Sequence, residues 1–324
     1  MKKIAIFLVA FMCQIQLSKA DDINSCISAA LSLPLLGGKS DTPIIPVKVN
    51  GINVAMYVSP DFFGGLYMRE GGNFSLRPGR IQGTITENDV RKFPAEVTSL
   101  DSLDIGGAVV DSPLVFRMPG YVTQSIDGRP LVGVIGDSVL SNFQVLIDMP
   151  HGRFALLKVS HDDSCARVEK SLLGDNVDSV PMKGDRKEIP VKIDGVEKLF
   201  ALDADSSVMI VPPDWRSIPE LDRSAVAKGQ RIVMHYVDGV GIPGRKVVVR
   251  DMRVSHEDMS GTPVIVQDVS GAAALGTPFF ANHIVLIDYD RSILFFSRSD
   301  NLVQSPGHHL HFEENTEGQA TVKE

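Results

Sequence analysis

The sequence predicts an all-β protein of two similar lobes. Three observations carry that expectation. Blocks of the first half recur in order in the second, the apolar stretches are short and often β-branched, and turn residues separate them at close intervals. Helical periodicity is nearly absent; the stretches Ser138–Asn142 and Thr277–Asn282, each close behind a glycine, are the best helix candidates. With 324 residues, 44% of them hydrophobic, the chain can fill one large core or two medium ones.

From the N-terminus, Lys2 and Lys3 precede the apolar run Ile4 to Met12, and Ser18-Lys19-Ala20 places small residues two positions apart. This is the pattern of a secretory signal peptide cut after Ala20, and the run falls short of the ~20 residues a membrane-spanning helix needs. The mature chain is therefore expected in a periplasm or outside the cell. Loss of Lys2, Lys3 and Lys19 takes the formal charge from −8 to −11. Such an excess of negative charge argues against nucleic acid or an anionic membrane as partner. No later segment is long and apolar enough to span a bilayer. Cys26 and Cys165 remain after cleavage, and an oxidising compartment favours a disulfide between them; two buried thiols are the alternative.

The repeat fixes the organisation. Ile45-Pro-Val-Lys-Val-Asn-Gly51 recurs as Ile189-Pro-Val-Lys-Ile-Asp-Gly195, 144 residues later. Each copy reads as a strand, a tight turn ending in glycine, and a second strand. Pro113-Leu-Val-Phe116 answers Pro263-Val-Ile-Val266, and Val134-Ile-Gly136 answers Ala274-Leu-Gly276. Leu146-Ile-Asp148 then matches Leu286-Ile-Asp288 at an offset of 140. Loop insertions between fixed strands account for the drift in offset. The expected divisions are a signal peptide (1–20), an N-terminal segment (21–42), a first lobe (43–162), a polar linker (163–186), a second lobe (187–300) and a polar tail (301–324).

In their order these blocks resemble the aspartic-protease family, as tandem retropepsin-like or pepsin-like lobes. In that family a hairpin strand runs into Asp-Thr-Gly, a flap hairpin follows, and an apolar-apolar-Gly block with a short helix closes each lobe. Val134-Ile-Gly136 and Ala274-Leu-Gly276 stand where that block belongs, and Asp148-Met-Pro and Asp288-Tyr-Asp match the closing strand. The resemblance covers about 43–160 and 187–297 and implies a bilobal fold with a cleft between the lobes. It implies flaps around Pro78–Asn88 and Gly229–Lys246, with Gly239 and Gly241 as turn residues and His235 and Tyr236 as cleft candidates. The plainer alternative makes these ordinary hairpin residues.

The family's chemistry needs two facing carboxylates that share a proton, one acting as base and one as acid. The repeat identifies where to look, because Ile45 to Ser59 and Ile189 to Asp203 are both 14 residues. The second lobe carries Asp203-Ala204-Asp205 and the first Ser59-Pro60-Asp61. Only Asp203 matches the family's motif. Ser59 offers no carboxylate, Pro60 and Ala204 no hydroxyl to lock the two loops, and Asp61 and Asp205 replace glycine.

These departures lead to the expectation of a catalytically impaired homologue that binds an extended peptide or protein in the inter-lobe cleft. One alternative is an active peptidase that uses Asp203 with Asp61; another is a structural or assembly protein without a ligand. No metal or cofactor is expected. Gly239-Val-Gly241 lacks the third glycine and helix of a dinucleotide loop, no Cys-His zinc spacing exists, and no Gly-x-Ser-x-Gly elbow is present. Asp61, Asp203 and Asp205 meeting around a hard cation is a minor variant beside solvated turn carboxylates.

Overall fold

The computed structural model describes residues 26–38, 41–79, 81–87, 91–165, 168–235, 241–299, 311–314 and 319–323. The expected signal peptide (1–20), Tyr236 and Gly239 lie outside these residues. The fold is all-β, as expected: strands form four sheets, and among the described residues each α-helix has six residues or fewer. No helix among the described residues is long and apolar enough to cross a membrane.

Each half opens with the expected hairpin. Ile44–Val49 pairs with Ile52–Val58, and Ile189–Ile193 with Val196–Phe200. Alternation sends Ile45, Val47 and Val49 inward in the first, and Ile189, Val191 and Ile193 in the second. Asn50 and Asp194 take positive φ at the two turns, a conformation that short polar side chains tolerate.

The next element is a crossing of strands, made twice. In the first half, Val134 lies between Tyr57, to which it runs parallel, and Tyr67, to which it runs antiparallel. In the second, Ala274 lies between Ala201 and Ile210 in the same senses. The apolar-apolar-Gly block is thus threaded between the two arms of a loop, and the loop carries the motif residues. Gly136 and Gly276 end the threading strands. A Cβ at Gly136 would stand 2.5 Å from Phe62 O, and one at Gly276 2.5 Å from Ser206 O, so the loop backbone passes where a side chain would begin. The short helices Asp137–Leu140 and Thr277–Phe280 follow these glycines.

The halves meet in a six-stranded sheet, in the order Ile27–Pro34, Arg153–Val159, Gln144–Asp148, His283–Asp288, Ile293–Arg298, Asp178–Pro181. At its centre Leu146 faces Leu286, so the repeated Leu-Ile-Asp blocks pair with each other about a local two-fold. The repeated aspartates are structural. Asp148 and Asp288 are fully buried and accept from the backbone N–H three residues on, and Arg153 and Arg291 neutralise them. One contiguous apolar core takes in side chains of both halves.

Sequence reading left several elements out. The outer strands Ile27–Pro34 and Asp178–Pro181 come from segments to which it gave no strand. The helices Val168–Leu173 and Arg223–Lys228 are too short to give a periodic signal. The first expected flap, Pro78–Asn88, covers only one strand of the hairpin that forms. Ile81–Glu87 pairs with Arg91–Ser99, which runs on to pair with Leu114–Val122. The equivalent hairpin in the second half joins Gln230–His235 to Gly241–Val248. Cys26 and Cys165 form a disulfide, which ties the outer strand Ile27–Pro34 to the segment after Arg153–Val159.

Candidate acid–base site

The two threaded loops present their motif residues to each other. Two of their backbone hydrogen bonds correspond: Phe62 N–H donates to Ser59 O and Ser206 N–H to Asp203 O, and Asp137 N–H donates to Phe62 O and Thr277 N–H to Ser206 O. Ser59 and Asp203 are therefore equivalent positions, as the hairpin spacing predicts.

Asp61, Asp203 and Asp205 gather into one group, each offering a carboxylate oxygen within 4.8 Å of the others. All three are half-buried rather than solvated turn residues. Ser59 is fully buried, and its Oγ lies 2.9 Å from Asp61 Oδ1 and in closer contact with Asp205 Oδ1 of the other half. A hydroxyl has one proton and can donate to only one of these oxygens.

Burial and like charge raise two of the three carboxyls. Burial, and then the charge of Asp205, push the Asp61 carboxyl up to about 7, against smaller opposing effects of the Ser59 hydrogen bond and the Arg186 guanidinium. Burial, followed by the charges of Asp61 and Asp205, drives Asp203 well above the usual carboxylate range. Asp203 Oδ1 also accepts from Ser206 N–H at 3.0 Å. Near neutral pH the cluster therefore holds protons and negative charge together, the condition for an acid and a base side by side. Three carboxylates so placed could also ligate a hard cation, and Asp61, Asp203 and Asp205 would be its ligands.

Further hydrogen bonds hold the middle residue of each loop. Tyr289 donates its hydroxyl to Pro60 O at 3.2 Å, and Thr277 donates Oγ1 to Ala204 O at 3.3 Å. Sequence reading missed Tyr289, Thr277 and Arg186. A comparison of the halves could have found Tyr289, since it answers Met149 and is a polar-for-apolar change inside a repeated block.

His235 is exposed and pairs with Gly241 at the end of its hairpin. No protein-family model matches the chain, and no curated protein matches it.

Proposed function

We propose that this chain is an exported, aspartic-type hydrolase that cuts peptides bound in extended form, with Asp61 supplying the carboxylate that position 59 lacks. The observation that supports this reading is the convergence of Asp61 with Asp203 and Asp205. The first loop lost its acid at one position and carries another two residues on, which reaches the same group. Ionised Asp61 takes a proton from water as the water oxygen bonds to the peptide carbonyl carbon. Protonated Asp203 gives its proton to the carbonyl oxygen, and collapse breaks the C–N bond with a proton passing to the leaving nitrogen. The edges of the paired hairpins offer backbone groups to an extended chain lying in a cleft between the halves. The Cys26–Cys165 disulfide supports export to an oxidising compartment.

A second reading is a peptide-binding protein without catalysis. The loss of Asp at Ser59 and of both motif hydroxyls at Pro60 and Ala204 favours it.

Purified protein incubated with a mixed peptide library between about pH 4 and pH 8 separates the two. The hydrolase reading expects cleavage that rises toward neutral pH as Asp61 ionises, and that disappears in both Asp203→Asn and Asp61→Asn. Folded protein that cleaves nothing at any pH, yet retains peptides, establishes the binding reading instead.

A further inference from the structure

The motif of each loop lacks the hydroxyl at its middle position, yet both middle carbonyls receive a hydroxyl from elsewhere. The two donors differ. Ala204 O is held by Thr277, the first residue of the helix behind its own loop. The equivalent of Thr277 in the first half is Asp137, a carboxylate, which instead accepts from Gly64 N–H at 2.8 Å. Asp137 in its ionised form has no proton for Pro60 O. Pro60 O is instead served across the two-fold, by Tyr289 at the end of the second half's central strand.

Tyr289 is built into this role. Its side chain is buried, and burial, then the charges of Asp137 and Asp61, hold its hydroxyl well above the usual tyrosine range, so it stays a donor. Its backbone follows Asp288, which Arg291 fixes, and Arg291 in turn contacts Glu169. Its counterpart Met149 is equally buried and has no hydrogen to donate. The bond therefore exists on one side only, next to the one loop whose acid has moved.

We infer that Tyr289 is the positioning residue for the displaced acid: by holding Pro60 O from the opposite half, its hydroxyl keeps the next residue, Asp61, against Asp203 and Asp205. Asp61 sits one peptide unit beyond the anchored carbonyl, so release of Pro60 O frees the link that aims its side chain. The Ser59 hydroxyl then still ties this loop to Asp205 of the other half. The inference concerns the arrangement of the acids, and it reaches catalysis only through the proposed hydrolase reading.

The test is a carbon-13 NMR titration of the Asp61 carboxyl in the full chain with its disulfide intact, assigned by loss of the signal in Asp61→Asn. In Tyr289→Phe, Asp61 should leave the desolvated, like-charged group, and its midpoint should fall by about one pH unit or more. Met149→Leu repacks the equivalent buried site without touching Pro60, and should leave the midpoint in place. If the phenylalanine variant does not fold, Tyr289→Met, which copies the side chain of the other half, gives the same readout. Where the wild type cleaves peptide, kcat should fall about tenfold in Tyr289→Phe with KM nearly unchanged. An Asp61 midpoint that is the same in wild type and a folded Tyr289 variant overturns the inference, whether or not the chain cleaves anything. A wild type that titrates as expected but cleaves nothing removes the hydrolase reading and leaves the positioning role intact.

Discussion

The loops Ser59-Pro60-Asp61 and Asp203-Ala204-Asp205 have the same backbone and different chemistry. Their hydrogen bonds to Phe62 O and Ser206 O, and their close passage over Gly136 and Gly276, correspond position by position. The second loop keeps a carboxylate at the first position, and the first keeps a hydroxyl. Both carry Asp at the third, where the resemblance would have glycine. A backbone held this firmly from behind lets the side chains in front of it change, because the threaded strand rather than the motif maintains the loop. The acids then meet by a different route, through the two third-position aspartates and the buried Ser59 between them.

The comparison breaks most completely at the acids. Asp203→Asn is expected to lower peptide cleavage by about a thousandfold or more, and Asp61→Asn by a similar factor, measured as kcat/KM near pH 7. A wild-type rate in Asp61→Asn, with Asp203→Asn inactive, would mean that Asp205 partners Asp203 and that Asp61 is dispensable.

Ser59→Asp would make the first positions identical. It adds a fourth carboxylate to a buried group, so the variant should lose about 3–5 kcal/mol at pH 7 and recover much of it near pH 4. Denaturant unfolding at the two pH values reads this directly; equal stability at both would show that the site is open to solvent.

The glycines behind the loops test whether the backbones are held alike. Gly136→Ala and Gly276→Ala should each destabilise by about 3 kcal/mol, because the added methyl meets main-chain oxygen that cannot swing away. A loss confined to one of them would show that only one loop depends on its threading strand.

Proton linkage gives an effect of similar size that depends on pH. Asp61 is raised from 3.8 to about 7, so the folded state binds this proton more tightly than the unfolded state. The stability it contributes is fully present below about pH 4 and is lost as pH rises through about 7, amounting to a few kcal/mol. Asp61→Asn should flatten that slope and raise the melting temperature at pH 8. A fall in melting temperature there would show that the ionised carboxylate is stabilising. The smallest shift is expected from millimolar Mg²⁺ or Ca²⁺, since Asp61 and Asp203 favour protons near neutral pH. A rise of several degrees would instead make the cluster a cation site.

Much of this protein was legible in its sequence. The recurrence of Ile-Pro-Val-Lys and of the apolar-apolar-Gly block established two equivalent β-units, because strand alternation and glycine turns are local properties that survive in one dimension. The same spacing identifies Ser59 and Asp203 as equivalent positions. What only the tertiary structure decided is which side chains meet. Asp61 and Asp203 are 142 positions apart and Tyr289 is 229 from Pro60. Their approach depends on the pairing of Gln144–Asp148 with His283–Asp288, which brings the two loops face to face. Proton affinity likewise comes from burial and from neighbouring charge, both set by the folded surroundings. No single residue type carries that information, so whether Asp61 reaches Asp203, which the sequence left as an alternative, is decided only when the halves are assembled.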